Sequence, residues 1–358
     1  MNKDTLQTNF TFPLLNWYAQ HGRKNLPWQY PKDPYRVWVS EIMLQQTQVQ
    51  TVLGFFSRFM ERFPTIEDLA NAEEDTVLSL WSGLGYYSRA RNLHKTAKII
   101  CERFAGQFPK NLDALIDLPG IGASTAAAIL AQAYNLPHAI LDANVKRVLS
   151  RYFMIAGWPN QTQVTKKLWQ MADLCMPEQD CAEYTQAIMD LGSLCCTASK
   201  PDCPHCPVKN YCQAFIAEEQ TNYPNKKPKK PVPLYQQQFL VLSNSEGLIY
   251  LEKRPPTGVW GGLWCLPSID VGICALEYIK KTYHVQGEEV IPLLDFKHRF
   301  SHFHLEIKAV GIKIQALANK VGESCGNWFH GDQFSSLGLA RPTSRILNSR
   351  THFSENKL

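Results

Sequence analysis

The sequence contains no run approaching the ~18 consecutive apolar residues of a membrane span, and its opening, MNKDTLQTNF, lacks the charged-then-apolar pattern of an export signal. A cytoplasmic protein is expected. Charge is modest: 19% of residues are charged against 45% hydrophobic, which excludes a disordered chain and leaves enough apolar material for a core. The net charge of +5 permits a nucleic-acid partner without demanding one. No internal repeat is present. The length, 358 residues, excludes a single small module and predicts two or three domains at about 100–200 residues each. An even set of cysteines is also lacking; there are eleven, which in a cytosolic chain argues against a disulfide framework.

Residues 1–212 read as almost all helix. Apolar residues recur at helical spacing over Phe12–Ala19, Val37–Val49, Ile66–Trp81, Leu93–Phe104, Ala123–Tyr134, Val145–Phe153, Val164–Leu174 and Tyr184–Leu194, and no alternating strand pattern occurs there. Residues 213–234, with the proline- and lysine-rich stretch Tyr223–Pro233, read as a linker. Residues 235–358 read as α+β, with strands at Gln237–Ser243, Leu248–Glu252 and His304–Val310 and a helix at Cys274–Tyr283.

Five of the eleven cysteines fall between Cys195 and Cys212, and from Cys196 the spacing is C-x6-C-x2-C-x5-C. Four thiolates on a short proline-bearing loop suit one metal centre, either a tetrahedral zinc or an iron–sulfur cluster, and spacing alone leaves both open. Cys195 is an alternative ligand. The other six are read as ordinary small buried thiols.

Leu118-Pro119-Gly120-Ile121-Gly122 separates two helical segments. Two glycines around one apolar residue permit a tight turn whose backbone N–H groups can hold a phosphate at the second helix's N-terminus; a plain glycine-capped connection is the competing reading. Two carboxylates stand out. Glu41 lies in the apolar run Val37–Leu44, where burial should raise its pKa and suit it to proton donation, unless it sits at the helix's polar edge. Asp142 precedes a helical segment, as an N-cap would, and a carboxylate there is kept ionised by backbone N–H groups and the dipole. One protonated and one ionised carboxyl is the pairing that glycosidic-bond chemistry requires.

Taken together, the glutamate of WVSEIMLQQTQV, LPGIG, the aspartate of LDANVKRV and the four-cysteine loop resemble the helix-hairpin-helix DNA glycosylases that carry a [4Fe–4S] cluster, and among them the A/G-mismatch adenine DNA glycosylase (MutY) family. The resemblance extends over nearly the whole chain, including GLGYYSRARNLHK and MDLGSLCC. It implies a multidomain protein: an all-α helix-hairpin-helix domain with a [4Fe–4S] loop at 196–212, then an α+β Nudix-like domain at 235–358 that recognises 8-oxoguanine. It also implies Cys196, Cys203, Cys206 and Cys212 as ligands of one structural cluster, which orders a DNA-contacting loop near Lys200. Glu41 would protonate adenine N7, Asp142 would stabilise the oxocarbenium-like sugar, and Asn144 would assist. Gln46 and Tyr86 resemble the residues that wedge into the duplex while adenine is flipped out, and Leu118, Gly120, Gly122 and Ser124 belong to the DNA-gripping hairpin. Phe300, Ser301 and His302 match the F-S-H loop expected near 8-oxoguanine. The implied partner is double-stranded DNA with an 8-oxoguanine·A or G·A mispair, bound by a monomer, nucleoid-associated in a bacterium.

Ser124 stands where glycosylase/lyases of the endonuclease III type carry a Schiff-base lysine, so a monofunctional, water-driven hydrolysis is expected. Leu251–Trp264 resembles the strand and loop preceding the catalytic box of Nudix hydrolases, yet Ile269–Tyr278 supplies only Glu277, so pyrophosphohydrolysis lacks its metal ligands. Residues 1–212 carry a net charge of only +1 and residues 213–358 carry +4, so affinity for DNA must come from local placement of cations and N–H groups.

Overall fold

The computed structural model describes residues 2–227, 231–300, 302–314 and 326–350. Two compact units emerge, and neither is contiguous: Met1–Asn71 with Asn92–Lys229, and Ala72–Arg91 with Lys230–Leu358. No helix among the described residues is long and apolar enough to cross a membrane.

The first unit is helical. Its main helices are Phe12–His21, Pro34–Leu44, Val49–Arg62, Leu112–Ile116, Ala123–Tyr134, Ala143–Tyr152, Thr162–Cys175 and Cys181–Asp190. Asp33 caps Pro34–Leu44 by accepting from the Tyr35 N–H, with Pro34 at the first helical position. The expected Val37–Val49 segment is in fact broken: the helix stops at Leu44, Gln46 takes φ 58°, and a new helix runs from Val49 to Arg62. Ala123–Tyr134, rich in small residues, is buried over Thr125–Gln132 and packs against both Pro34–Leu44 and Cys181–Asp190. A core of Phe10, Leu14, Val145, Leu149, Tyr152, Leu168, Tyr184 and Ile188 holds the N-terminal helix against the helices that carry the later motifs.

The segment expected to be a linker, 213–234, is largely seated on this unit. Gln213–Ile216 is helical, Arg151 Nε donates to the Tyr223 carbonyl at 2.9 Å, the Gly157 N–H donates to Asn225 Oδ1 at 2.6 Å, and the Lys227 ammonium lies 4.7 Å from the Trp158 ring centroid. Proline and lysine content signals a lack of regular structure but not a lack of partners.

Among the described residues, the second unit is built on a seven-stranded sheet of β1 (Leu234–Ser243), β2 (Ile249–Lys253), β3 (Trp264–Cys265), β4 (Ser268–Asp270), β5 (Gly287–Arg299), β6 (His304–Ile314) and β7 (Gly326–Phe329), in the order β3-β2-β1-β6-β5, with β4 paired to β1 and β7 to β2. β1 and β6 run parallel in unbroken register from Leu234↔His304 to Ser243↔Lys313. Phe239-Leu240-Val241-Leu242 reads as a continuous apolar run because β1 is covered on both faces. Phe239 and Val241 join a core with Ile346 and Leu347 of the Arg341–Arg350 helix, whereas Leu240 and Leu242 join Ile279 and Tyr283 of the Ala275–Tyr283 helix. β5 escapes a reading by alternation because its register slips between Gly287 and Val290 and again between Pro292 and Leu294.

Residues 72–91 group with this sheet rather than with the helical segments beside them in sequence. The Glu74–Trp81 helix places Asp75 2.8 Å from Lys253 Nζ and 3.4 Å from Trp264 Nε1, and a side-chain carbon added at Gly338 would lie 2.8 Å from Leu78 Cβ. The division at 212 therefore omits a segment whose partners lie far along the chain.

Candidate active site

Glu41 sits on the Pro34–Leu44 helix where it meets Ala123–Tyr134, and Gln132 Nε2 donates to its Oε1 at 3.1 Å. Burial is the main cause of a pKa pushed up to about 7, the charge of Asp142 adds to the rise, and the Gln132 hydrogen bond opposes it. Asp142 caps the Ala143–Tyr152 helix as expected, its Oδ1 accepting from the Val145 N–H at 2.7 Å. The expectation that capping alone keeps its pKa low needs correction. Burial raises it, against the Val145 and Asn144 N–H groups, the Arg147 charge and the Asn144 side chain, all of which favour the ionised form. The two carboxyls thus differ in support: four interactions hold the charge on Asp142 and one holds it on Glu41.

Asn144 Nδ2 lies 3.4 Å from Asp142 Oδ2, and Arg147 fixes the other end of that amide by donating to Asn144 Oδ1 at 2.7 Å. Arg147 is held in turn by the carbonyls of Gly192 at 2.5 Å and Cys196 at 2.8 Å. Gly192 is required for this approach, since a side-chain carbon there would stand 2.6 Å from Asn144 Cβ. The glycine of MDLGSLCC therefore has a packing reason that its motif alone does not reveal.

In the hairpin, Leu118 and Ile121 are buried at 3% and 4% exposure, so Leu118 offers a ligand only its backbone. Gly120 takes φ +81°, and a side-chain carbon there would meet Asn92 Cβ at 2.8 Å. Gly122 caps Ala123–Tyr134 without any side-chain hydrogen bond, which leaves first-turn N–H groups free of a side-chain cap. The Ser124 hydroxyl accepts from the Leu141 N–H at 3.0 Å, tying the hairpin to the residue before Asp142.

A cavity of about 290 Å³ is lined by Trp28, Val37, Gln132, Glu183 and Gln186 among others; Glu41 is not on its wall, and Gln132 links the two by its hydrogen bond to the Glu41 carboxyl. Trp28, Gln132 and Gln186 escaped the sequence reading. Nothing in their local patterns separates them from core residues; Asp190, a carboxylate in an apolar helix, gave the same signal as Glu41.

Cys195, Cys196, Cys203, Cys206 and Cys212 line one small pocket together with Arg151. Arg151 is 2% exposed, and among the described residues no carboxylate pairs it. It donates to Cys196 Sγ at 3.2 Å and to the carbonyls of Thr197 and Ala198 at 2.7 and 3.2 Å. A buried guanidinium against sulfur suits thiolates carrying negative charge. No group of three or more His, Cys, Asp or Glu among the described residues is set to hold a single metal ion. Cys195 is turned to the Asp202 carbonyl at 3.2 Å, and Lys200 is exposed. Cys274, expected to be buried, is exposed.

Gln46 (φ 58°) and Tyr86 (φ 49°) both occupy the left-handed region, which non-glycine residues rarely adopt, and Tyr86 is 44% exposed. Within the second unit a cavity of about 610 Å³ is lined by Tyr86, Arg91, Trp260, His298, Phe300, His302 and Arg341 among others. Phe300 stacks on Phe303 at 4.3 Å and lies 5.4 Å from Trp260, itself at φ 55°. Phe300 and His302 are thus placed on the wall of one cavity, and Ser301 lies outside the described residues. Glu277 is exposed.

Residues 39–173 match the HhH-GPD superfamily of base excision DNA repair proteins, and residues 238–349 match the NUDIX domain. The chain is 39% identical to the adenine DNA glycosylase of Buchnera aphidicola from Schizaphis graminum, over 94% of this chain and 97% of that protein. It is 34% identical to the human adenine DNA glycosylase over 95% of this chain and 73% of that protein. Among solved structures, a thermostable thymine-DNA glycosylase aligns with a TM-score of 0.55 and 27% identity, over 60% of this chain and 98% of that one. The Nudix-like unit thus follows a glycosylase unit, and the chain belongs to the adenine DNA glycosylase family of base excision repair enzymes.

Proposed function

We propose that this protein, as a monomer, removes adenine mispaired with 8-oxoguanine or guanine by hydrolysing the N-glycosidic bond of a flipped-out nucleotide. The observation that carries the reading is the pair of unlike carboxyls, Glu41 raised to about 7, in part by the charge of Asp142, and Asp142 held by four interactions that favour its charge. The base has to leave the stack, because its N7 and C1′ cannot both be reached within a duplex.

Protonated Glu41 donates to adenine N7 and makes the base a leaving group; ionised Asp142 offsets the positive charge that develops on the sugar, its carboxylate oriented by Val145 and Asn144. Water completes the hydrolysis. Ser124 cannot form an imine and its hydroxyl is engaged by Leu141, which supports a monofunctional reaction. The hairpin around Gly120 and Gly122 grips phosphate through N–H groups. Gln46 and Tyr86 wedge the duplex, Lys200 contacts its backbone, and Phe300 and His302 on the larger cavity read the oxidised guanine.

Cys196, Cys203, Cys206 and Cys212 would hold one [4Fe–4S] cluster, with Arg151 against the Cys196 sulfur. Bound there, the cluster supplies a rigid cross-link that orders the 196–212 loop. The test is base release from 8-oxoguanine·A, G·A and thymine-glycol·A duplexes with wild type and Glu41→Gln. Adenine release from the first two by wild type alone is expected; undiminished release by Glu41→Gln would overturn the assignment.

A further inference from the structure

Five cysteines line the small pocket beside Arg151, and the cluster reading uses four of them. The fifth, Cys195, is buried at 6% exposure and ends the π-helical turn Leu191–Cys195, which the Cys196 N–H closes by donating to the Leu191 carbonyl at 2.7 Å. Packing as a small buried residue accounts for its place in the helical core. It does not account for what its polar atoms do. The Cys195 carbonyl accepts from the Thr197 and Asp202 N–H groups, both at 2.9 Å, and its thiol donates to the Asp202 carbonyl at 3.2 Å. Its sulfur is also in hydrogen-bond contact with the Cys206 thiol.

Asp202 directly precedes the Cys203–His205 turn, and the Cys206 N–H donates to the Cys203 carbonyl at 3.2 Å. Two hydrogen bonds therefore tie Cys195 to the backbone that carries Cys203 and Cys206. Of the four expected ligands, Cys206 is the one whose sulfur it meets.

We propose that Cys195 is a reserve ligand of the iron–sulfur cluster, placed to substitute for Cys206. The proposal rests on the cluster reading above and adds a fifth residue to it. A thiol that donates to a carbonyl still carries its hydrogen, and only a thiolate ligates metal, so Cys195 stands aside while Cys206 is bound. Exchange breaks the bond between iron and the Cys206 sulfur, forms one to the Cys195 sulfur and passes the proton of Cys195 to Cys206 across the contact the two already make. One thiolate replaces another, so the charge beside Arg151 is unchanged, no electron is transferred and no oxidant is required. The movement is a rotation about one side-chain bond, because the backbone of Cys195 is already tied to Asp202.

The experiment reconstitutes wild type, Cys195→Ser, Cys206→Ala, the double variant of these two and Cys212→Ala anaerobically, and reads iron and acid-labile sulfide per chain with the visible charge-transfer absorbance. Serine keeps the shape of Cys195 and its bond to the Asp202 carbonyl but lacks the soft sulfur. Cys195→Ser should match wild type and Cys206→Ala should retain the full complement, whereas the double variant and Cys212→Ala should lose it. Cys206→Ala as depleted as the double variant, or a double variant as full as Cys206→Ala, would overturn the proposal. Retention in Cys212→Ala would overturn it too, since the contact with Cys206 would then explain nothing. If Cys206→Ala does not fold, the rate at which excess chelator strips iron decides the matter. Cys195→Ser should lose iron about ten-fold faster than wild type, because iron released by Cys206 is no longer recaptured, and equal rates would refute the role of Cys195. Wild type that takes up no iron and sulfide would instead refute the cluster reading itself, and the proposal with it.

Discussion

Replacing Glu41 by glutamine should stabilise the protein while disabling it, by an amount that depends on pH. The carboxyl is raised from 4.5 to about 7, which at about 1.4 kcal/mol per unit corresponds to about 3 kcal/mol between the protonated and ionised forms in the folded protein. The folded-state pKa is the higher one, so the folded protein binds the extra proton. Stability from that proton is fully present below 4.5 and is lost as pH rises through about 7. Above that range wild type holds an ionised carboxylate in a desolvated site beside Asp142. Glu41→Gln holds a neutral amide there, still able to accept from Gln132. The variant should therefore unfold later than wild type at pH 8, by up to about 3 kcal/mol or roughly 6–12 °C for a unit of this size. Near pH 5 the difference should largely vanish. Adenine release should fall by about 10²–10⁴, the usual worth of a positioned proton donor. Thermal unfolding at the two pH values, with single-turnover kinetics on the same preparations, makes the comparison. A stability difference that does not change between pH 5 and pH 8 would refute the desolvated-acid argument, even if activity were lost.

Gly192→Ala should cut adenine release without abolishing duplex binding, because the added carbon collides with Asn144 and displaces the group that orients Asp142; binding lost in proportion to activity would contradict this. Gly120→Ala should cost about 1–2 kcal/mol of stability, from strain at φ +81° and the contact with Asn92, and should weaken binding to matched and mismatched duplexes alike. The strand should break after base release only on treatment with hot alkali, and efficient cleavage without it by contaminant-free protein would argue against the monofunctional assignment. Anaerobically purified protein should show the visible charge-transfer absorbance of an iron–sulfur cluster, lost in Cys203→Ser; colourless zinc-loaded protein would place the site in the other class.

The main candidate residues were legible because each breaks a local rule. A glutamate in an apolar helix, an aspartate at a helix start, two glycines around a buried isoleucine and four cysteines on one loop all cost something that ordinary packing does not require. What could not be read depends on contacts made across the fold. Gln132 looks like any glutamine until the helix that carries it meets the one that carries Glu41. The Arg341–Arg350 helix sends chiefly Ile346 and Leu347 to the core, too narrow an apolar stripe to register in sequence. β5 is hidden by its own register shifts. Residues 72–91 look like one more piece of the helical half because the groups that hold them, Lys253 and Trp264, come so much later.

That delay has a bearing on how the chain is made. Synthesis proceeds from the N-terminus, and Asp75 leaves the ribosome well before Lys253, while β1 waits for β6 to be completed at Ile314 before its parallel ladder can form. The Glu74–Trp81 helix therefore lacks its partners Lys253 and Trp264 for most of translation, and Leu78 lacks the close approach that Gly338 later provides. A nonsense codon anywhere between β1 and β6 would not yield a shorter enzyme with a missing accessory module. It would yield a glycosylase half with an apolar helix left uncovered, a species that quality control should remove, so late truncations should behave in cells as null alleles rather than as partial ones.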